Sequence, residues 1–145
     1  EFTVLGAIDH HNLGALQQTE LNALISSNII QYPGHVSNIK DWIADNHVFV
    51  LPSYREGVPR STQEAMATGR AIITTDVPGC RETVINTKNG FIVPKWNPEA
   101  LAEKMIYFIE NPEQIQLMGA ESYKIALEKF DAEKVNQRLV NILGL

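Results

Sequence analysis

The chain has 145 residues, of which 44% are hydrophobic and 20% charged, a composition typical of a globular domain and not of a disordered segment. Its formal net charge is −5, so it lacks the basic surface that nucleic acids or anionic membranes attract. The single cysteine, Cys80, excludes an internal disulfide and favours a reducing, cytoplasmic setting. No apolar run approaches the ~20 residues that span a bilayer, so we expect a soluble single domain over residues 1–145.

The first third of the chain predicts strands that alternate with helices. "EFTVLGAID" is an apolar, β-branched run that indicates a buried strand, and "IIQYPG" indicates a short strand that ends at a Pro-Gly turn. Thr19 is the expected N-cap of a helix whose apolar face carries Leu21, Leu24 and Ile25. "SNIKDWIADN" predicts a second helix, and the polar segment between the first strand and the first helix predicts a loop that contains His10 and His11.

The central segment continues this alternation. "HVFVLPS" is the strongest strand pattern in the chain, and "RSTQEAMATG" predicts a helix that ends at Gly69. "AIITT" predicts a buried strand, "DVPGCRETV" a Pro-Gly loop with a short helical turn, and "GFIVP" a last strand. The pattern predicts an α/β fold with a Rossmann-like, mainly parallel sheet flanked by helices.

Three helices are predicted after this sheet. The first begins at Pro98 and is expected to bury Leu101, Met105, Phe108 and Ile109. The last carries an apolar stripe with no strand after it, formed by Val135, Leu139, Ile142 and Leu143. The chain also opens directly on a strand of interior type. Both features predict that the chain is a piece of a larger protein.

Two carboxylates, Glu56 and Glu64, bracket the start of the helix that follows the strongest strand. Ligands of open parallel sheets bind at the carboxyl ends of the strands, where this loop is expected. Gly57 would let a ligand approach the backbone, and the free N–H groups of Arg60 and Ser61 would form a phosphate site at the helix N-terminus. A carboxylate on each side of that site would suit a ribose diol at one end and a sugar at the other, as in a nucleotide sugar.

The spacing by itself also allows a purely structural interpretation. Glutamates near a helix N-terminus are stabilised by the helix dipole, so Glu64 could be a solvated surface residue. Arg55 and Arg60 are surface charges by default, and Cys80 has no histidine near it that could act as a base. From the residues alone both interpretations remain open.

The segment "EGVPRSTQE" fits the E-x7-E motif of retaining glycosyltransferases of the GT-B fold, family 4. The resemblance extends through "VFVLPSYREGVPRSTQEAMATGRAIITTDVPGCRETV", "NGFIVP" and "PEALAEKM", and so covers nearly the whole chain. The chain resembles the C-terminal, donor-binding half of such enzymes, without the first strand and helix of that half. The bacterial enzymes that assemble surface polysaccharides are the most similar type.

The resemblance implies a role for each residue of the motif. Glu56 would contact donor-sugar hydroxyls close to the anomeric centre, and Glu64 would bind the ribose diol. Gly57, Val58, Arg60 and Ser61 would form the loop and the diphosphate site. The turn around Gly34 and Val36 would lie against the nucleobase, with uridine favoured over guanosine. No bound metal or other cofactor is implied.

The resemblance also implies what the chain lacks. The Arg and Lys that neutralise the donor phosphates have no match here, and the acceptor glycan or lipid-linked saccharide would bind the absent N-terminal half. We therefore expect the chain alone to be inactive and to self-associate through its C-terminal stripe. The full-length protein would be cytoplasmic and peripheral at the inner face of the membrane. A non-catalytic nucleotide-binding or interaction module, or another GT-B enzyme such as a nucleotide-sugar epimerase, are the alternatives.

Overall fold

The computed structural model describes residues 1–9 and 14–144, so the predicted loop positions of His10 and His11 lie outside the described residues. The chain forms two compact units, Glu1–Ile39 and Lys40–Leu145. The prediction of one domain over residues 1–145 stays a prediction.

Among the described residues, no helix combines the length and the apolar character needed to cross a membrane.

The first unit contains two parallel strands and one helix, namely β1 (Phe2–Leu5), α1 (Gln18–Ser26) and β2 (Ile30–Gly34). Phe2 pairs with Ile30 and Leu5 with Gly34. The predicted cap at Thr19 is wrong, because α1 begins two residues earlier with Gln17 as its N-cap. The Glu20 carboxylate accepts a hydrogen bond of 2.8 Å from the Gln17 amide, which satisfies one of the free donors at the start of the helix.

Leu21 is buried on the apolar face of α1, as predicted, and Leu24 is partly buried. Ile25 is 37% exposed, so the expectation that it is buried is wrong. Its position is 100° around the helix from Leu24, which places it at the edge of the inward face.

The second unit carries a three-stranded parallel sheet with the order β3-β4-β5. Its elements are α2 (Ile39–Ala44), β3 (Val48–Leu51), α3 (Arg60–Ala67), β4 (Ala71–Thr75), α4 (Pro78–Arg81), β5 (Gly90–Val93), α5 (Pro98–Glu110), α6 (Pro112–Lys129) and α7 (Ala132–Leu143). All five residues of the central strand β4 are buried. Gly69 follows the C-cap of α3 with φ of 70°, as the sequence predicts for a glycine at this position.

The core of this unit lies on both faces of the sheet. Successive strand residues point to opposite faces, and Ile72 accordingly packs in one apolar cluster while Ala71 and Ile73 pack in another. The first cluster includes Met66 of α3, and the second includes Phe108 of α5. Fully burying a side chain of this size stabilises the fold by about 1.5–3 kcal/mol. Because β4 contributes buried side chains to both clusters, it connects the helices packed on the two faces of the sheet. These observations confirm the predicted α/β fold with a parallel sheet between helices.

The predicted inward face of α5 is confirmed for Leu101, Met105 and Phe108, which all pack in the second cluster. Ile109 is 74% exposed, so its predicted burial is wrong. It follows Phe108 by 100° around the helix and therefore points away from the sheet. In α7, Leu139, Ile142 and Leu143 are all exposed, and the helix has no buried residue.

Candidate functional site

Threonine hydroxyls of β4 bind the carboxyl end of β3 and the first residues of the loop that follows it. Thr74 Oγ1 donates a hydrogen bond of 3.0 Å to the carbonyl oxygen of Leu51, the last residue of β3. The next hydroxyl, Thr75 Oγ1, donates to the carbonyl oxygen of Ser53, two residues beyond β3. These two bonds hold the start of the loop between β3 and α3 against the central strand.

Glu56 lies on this loop with its carboxylate held by a neighbouring side chain. Ser53 Oγ donates a hydrogen bond of 2.7 Å to Glu56 Oε1, and Glu56 is partly buried. An ionised carboxylate has about four lone-pair sites, so this single bond orients Glu56 and leaves most of its acceptor capacity for a ligand. The fixed carboxylate could accept hydrogen bonds from two hydroxyl groups.

The backbone beneath Glu56 depends on a glycine that the sequence analysis did not single out. A Cβ atom at Gly79 would lie 1.2 Å from the carbonyl oxygen of Gly57 and 2.6 Å from that of Glu56. Gly79 belongs to α4 and is buried, so α4 supports the loop by direct backbone contact. A Cβ at Gly57 would meet nothing within 4 Å, which leaves the outer side of the loop open. The Pro-Gly pair in "DVPGC" was the sequence feature that could have drawn attention to Gly79.

The N-terminus of α3 follows the loop at once. Gln63 makes the first bond of α-helical type there, from its amide to the carbonyl oxygen of Pro59 at 3.2 Å. The amides of residues 60–62 precede this bond and have no partner in the helix ladder, and they lie at the positive end of the helix dipole. Pro59 is the N-cap of α3 and not its first helical residue. Its ring therefore restricts the backbone just before the helix and not the first helical turn. Val58 and Arg60 beside it are exposed.

Glu64 lies one turn further along α3 and is exposed. It borders a groove of about 270 Å³ between α3 and α6, whose wall includes Tyr123, Leu127 and Phe130. Glu56 does not line this groove. The structure therefore places Glu56, Gly57, Val58, Arg60 and Ser61 on one continuous segment and Glu64 beside a separate concave surface.

Gly34 and Val36 belong to the first unit. Gly34 ends β2 with φ of 76°, and its carbonyl oxygen accepts a hydrogen bond of 2.9 Å from the Gly6 amide just beyond β1. The Tyr32 hydroxyl donates to the Gly6 carbonyl oxygen at 2.6 Å. Gly34 thus lies at the carboxyl end of its own parallel pair of strands.

A second feature at the carboxyl ends of β3–β5 was missed in the sequence. The rings of Tyr54 and Trp96 stack with their centroids 3.6 Å apart and an interplanar angle of 16°. They border a cavity of about 350 Å³. Tyr54 follows β3, and Trp96 follows β5. Because they are far apart in the sequence, no local sequence pattern indicates that the two rings are in contact.

An ion pair connects Asp76, directly after β4, with Arg81 at the end of α4. Arg81 Nε lies 2.5 Å from Asp76 Oδ1, and this hydrogen bond lowers the pKa of the Asp76 carboxyl below its ordinary value. Cys80 is fully buried. Across residues 1–9 and 14–144, no three His, Cys, Asp or Glu side chains are grouped so that they could hold a metal ion.

Comparison with known proteins identifies the family. The model of the family "Glycosyl transferases group 1" matches residues 1–111. An N-acetylgalactosaminyltransferase from Campylobacter jejuni, which acts on N,N'-diacetylbacillosaminyl-diphospho-undecaprenol, is 32% identical over 81% of this chain and 31% of its own length. The capsular polysaccharide biosynthesis glycosyltransferase CapM from Staphylococcus aureus is 29% identical over 94% of this chain and 35% of its own length. The chain thus spans about a third of the length of these relatives.

Solved structures show the same fold. The Anabaena protein Alr3699/HepE in complex with UDP superposes with a TM-score of 0.85 over 98% of this chain and 40% of that protein, at 21% identity. The C-terminal domain of a group 1 glycosyl transferase from Francisella tularensis superposes with a TM-score of 0.70 over 79% of this chain and 62% of that domain, at 20% identity. The chain belongs to the group 1 glycosyl transferases and has the fold of a GT-B glycosyltransferase C-terminal domain.

Proposed function

We propose that this chain is the donor-binding domain of a retaining, family 4 glycosyltransferase, which moves a sugar from a nucleotide diphosphate onto an acceptor. One observation carries the proposal. The Glu56 carboxylate, held at 2.7 Å by Ser53 at the carboxyl end of β3, directly precedes the free amides of α3. An acceptor of hydroxyl hydrogen bonds thus adjoins a site for phosphate, which is the pair of groups that a nucleotide sugar requires.

In this proposal the segment from Glu56 to Glu64 binds the donor. Glu56 accepts hydrogen bonds from the hydroxyls of the donor sugar. The amides of Arg60 and Ser61 bind the diphosphate, and the Arg60 side chain adds positive charge. Glu64 binds the ribose diol, and Gly57 and Val58 form the open side of the loop. Gly34 and Val36 contact the nucleobase. The UDP complex of the Anabaena protein supports uridine as the base.

The proposed reaction retains the configuration at the anomeric carbon. The bond from that carbon to the β-phosphate oxygen breaks, and the acceptor hydroxyl oxygen forms the new bond on the same face. The acceptor proton passes to the departing phosphate oxygen, so charge and protons balance. The amides of α3 stabilise the negative charge that develops on the diphosphate. Glu56 acts on the ring hydroxyls, and its role as a covalent nucleophile is the weaker hypothesis.

The cellular role follows from the names of the relatives. The C. jejuni enzyme acts on a saccharide linked to undecaprenol, and CapM takes part in capsular polysaccharide synthesis. We infer a related role in bacterial surface polysaccharide assembly, with a glycan or lipid-linked saccharide as acceptor. The enzyme would work in the cytoplasm, peripheral at the inner face of the membrane.

Ligand-observed NMR titration tests the donor site directly on this chain. We expect UDP and UDP-glucose to bind with millimolar or weaker affinity, about −4 kcal/mol, and GDP to bind less well. Glu64→Ala should weaken UDP and UDP-glucose equally, by about tenfold or more, since it removes hydrogen bonds to a charged acceptor. Glu56→Gln should weaken only UDP-glucose. Glu103→Ala on the exposed surface of α5 is the matched control.

The same titration separates the alternative functions. An interaction module without a donor site would bind neither UDP nor UDP-glucose even at about 100 mM, far above the millimolar range, and the two glutamate variants would change nothing. Conversion of UDP-glucose into a second nucleotide sugar, with no acceptor present, would identify an epimerase. Either outcome would contradict the proposal. Release of UDP from UDP-glucose should not be detected, because we expect the chain alone to be inactive.

A further inference from the structure

Two aromatic rings are exposed at the carboxyl ends of the sheet without contributing to either core cluster. Tyr54, in the loop after β3, is 54% exposed, and Trp96, in the loop after β5, is 69% exposed. Their rings stack almost face to face. Large aromatic side chains stabilise a fold mainly by being buried, so a stacked pair that stays exposed is not explained by packing.

Trp96 is also held in a strained backbone conformation. Its φ is 64°, in the left-handed region that bulky residues rarely adopt. Backbone strain of this kind is concentrated at functional sites. In this conformation the indole stacks on Tyr54 at the border of the cavity instead of being buried.

The cavity beside the two rings has an uncharged lining. Its volume is about 350 Å³, within the range of roughly 300–1,000 Å³ for small-molecule sites. Besides the two rings, the wall includes Pro52 and Pro94 and two polar side chains, Thr75 and Asn97. Asn97 Oδ1 accepts a hydrogen bond from the Ala100 amide, and the Asn97 amide group has two further donors. An apolar wall with few polar groups fits a neutral ligand and not a phosphate.

This cavity is connected to Glu56 by two hydrogen bonds. Thr75, in the cavity wall, donates to the Ser53 carbonyl oxygen, and the Ser53 hydroxyl donates to Glu56. None of the cavity wall belongs to the segment from Glu56 to Glu64. The cavity therefore lies outside the segment that is proposed to bind the donor and beside the loop that carries Glu56.

We propose that this cavity is a subsite for one neutral sugar ring of the acceptor, bound against Tyr54 and Trp96, in addition to the acceptor contacts that the resemblance assigns to the N-terminal half. A pyranose ring has an apolar C–H face and a rim of hydroxyl groups. The aromatic and proline surfaces contact the face, while Asn97 and Thr75 bind the rim. This inference rests on the proposed glycosyltransferase function, because the acceptor is the second saccharide that such an enzyme binds.

The test is an NMR titration of the ¹⁵N-labelled chain with methyl α-D-glucopyranoside and with N-acetylgalactosamine. We expect the Trp96 indole N–H signal to shift saturably with at least one of them. The indole signal of Trp42, in α2, is the internal control and should stay in place. Cyclohexanol, a ring of similar size with a single hydroxyl, should bind at least tenfold more weakly.

Trp96→Gly provides the matched variant, because glycine adopts a positive φ without strain and removes the ring. Its circular dichroism spectrum and its affinity for UDP should be unchanged, while saturation transfer to the sugar falls at least tenfold. Tyr54→Ala should have the same effect. Ile109→Ala, at an exposed apolar residue of α5, should have none.

Three results would overturn the proposal. Both sugars could fail to shift the Trp96 signal at concentrations up to about 100 mM, which is far above the millimolar range of weak sites. Cyclohexanol could bind as well as the sugars, which would indicate an apolar contact surface. Trp96→Gly could weaken UDP as much as the sugar, which would assign the ring to the donor. If UDP alone fails to bind, the donor proposal fails, while a saturable sugar shift would still establish the subsite.

Discussion

Gly79 packs directly on the backbone of Gly57, so closely that a Cβ atom would lie 1.2 Å from the Gly57 carbonyl oxygen. The two glycines belong to different connections, one in α4 after β4 and one in the loop after β3. Their contact sets the position of the loop that carries Glu56. Because the atom in the way is backbone and not a flexible side chain, a methyl group at Gly79 cannot be accommodated without moving the loop.

Gly79→Ala should therefore displace the Glu56 loop. We expect a loss of about 1–3 kcal/mol in the free energy of unfolding, the usual range for overpacking, and weaker binding of UDP-glucose. Urea denaturation and NMR titration measure the two effects. Gly57→Ala is the control for the stability measurement only, because its Cβ would meet nothing within 4 Å and its φ is not positive. Equal free energies of unfolding for the two variants would contradict the prediction that the Gly79 contact leaves no room for a methyl group.

Ser53 is a positioning residue for Glu56. Ser53→Ala removes the hydrogen bond of 2.7 Å and leaves the carboxylate free to change rotamer. A bond worth about 1 kcal/mol corresponds to roughly a fivefold weaker affinity for UDP-glucose. The affinity for UDP, which lacks the sugar, should stay the same, and Ser53→Thr should restore binding. A parallel loss for UDP would show that the variant disturbs the loop as a whole.

The hydroxyl of Thr62 in α3 is fully buried and makes no hydrogen bond within the described part of the chain. Thr62→Val keeps the shape and removes an unsatisfied group, so we expect a gain of about 1 kcal/mol in the free energy of unfolding by urea denaturation. Thr83→Val is the matched control, since the buried Thr83 hydroxyl donates to the Cys80 carbonyl oxygen at 2.8 Å. That variant should lose stability. Destabilisation of both to the same degree would show that Thr62 has a partner.

Local patterns predicted the fold well because each strand and helix carries its own signal. The buried run "AIITT" is β4 at the centre of the sheet, and "PEALAEKM" begins α5 with its proline at the first helical position. The errors lie where tertiary contacts decide. The sequence cannot show that Glu20 reaches back to Gln17, or which edge of α5 faces the sheet, so the cap of α1 and the burial of Ile109 were predicted wrongly.

The site was predictable only where its residues are neighbours in sequence. Glu56 comes shortly before α3 in the sequence, so the two are close in space whatever the rest of the fold is. The support from Gly79 and the stacking of Tyr54 on Trp96 join segments that meet only when the parallel strands are paired. Such contacts depend on strand order and register, which a single sequence does not contain.

The ion pair between Asp76 and Arg81 gives a prediction for pH. The hydrogen bond from Arg81, assisted by its charge, lowers the pKa of the Asp76 carboxyl in the folded chain. Its stabilising effect is therefore present above the unfolded pKa and is lost as the pH falls through the folded pKa. Arg81→Gln should raise the Asp76 pKa toward the ordinary value of ~3.9, as followed by carboxyl NMR. The pKa of Glu82, which Lys129 lowers, is the internal control and should not change.

The exposed stripe of α7 predicts self-association of this chain. Leu139, Ile142 and Leu143 are 51%, 80% and 67% exposed and recur at the spacing of one helical face. Contiguous apolar surface of this kind marks contact sites, whereas single exposed apolar residues do not. We expect sedimentation velocity to show a dimer that forms in the range of about 0.1–1 mM, and Ile142→Glu to remain a monomer, because association would bury an unpaired charge. Ile109→Glu, at a similarly exposed position on α5 outside the α7 stripe, should dimerise like the parent chain. Loss of the dimer in both variants, or its absence from the parent chain, would contradict a role for α7.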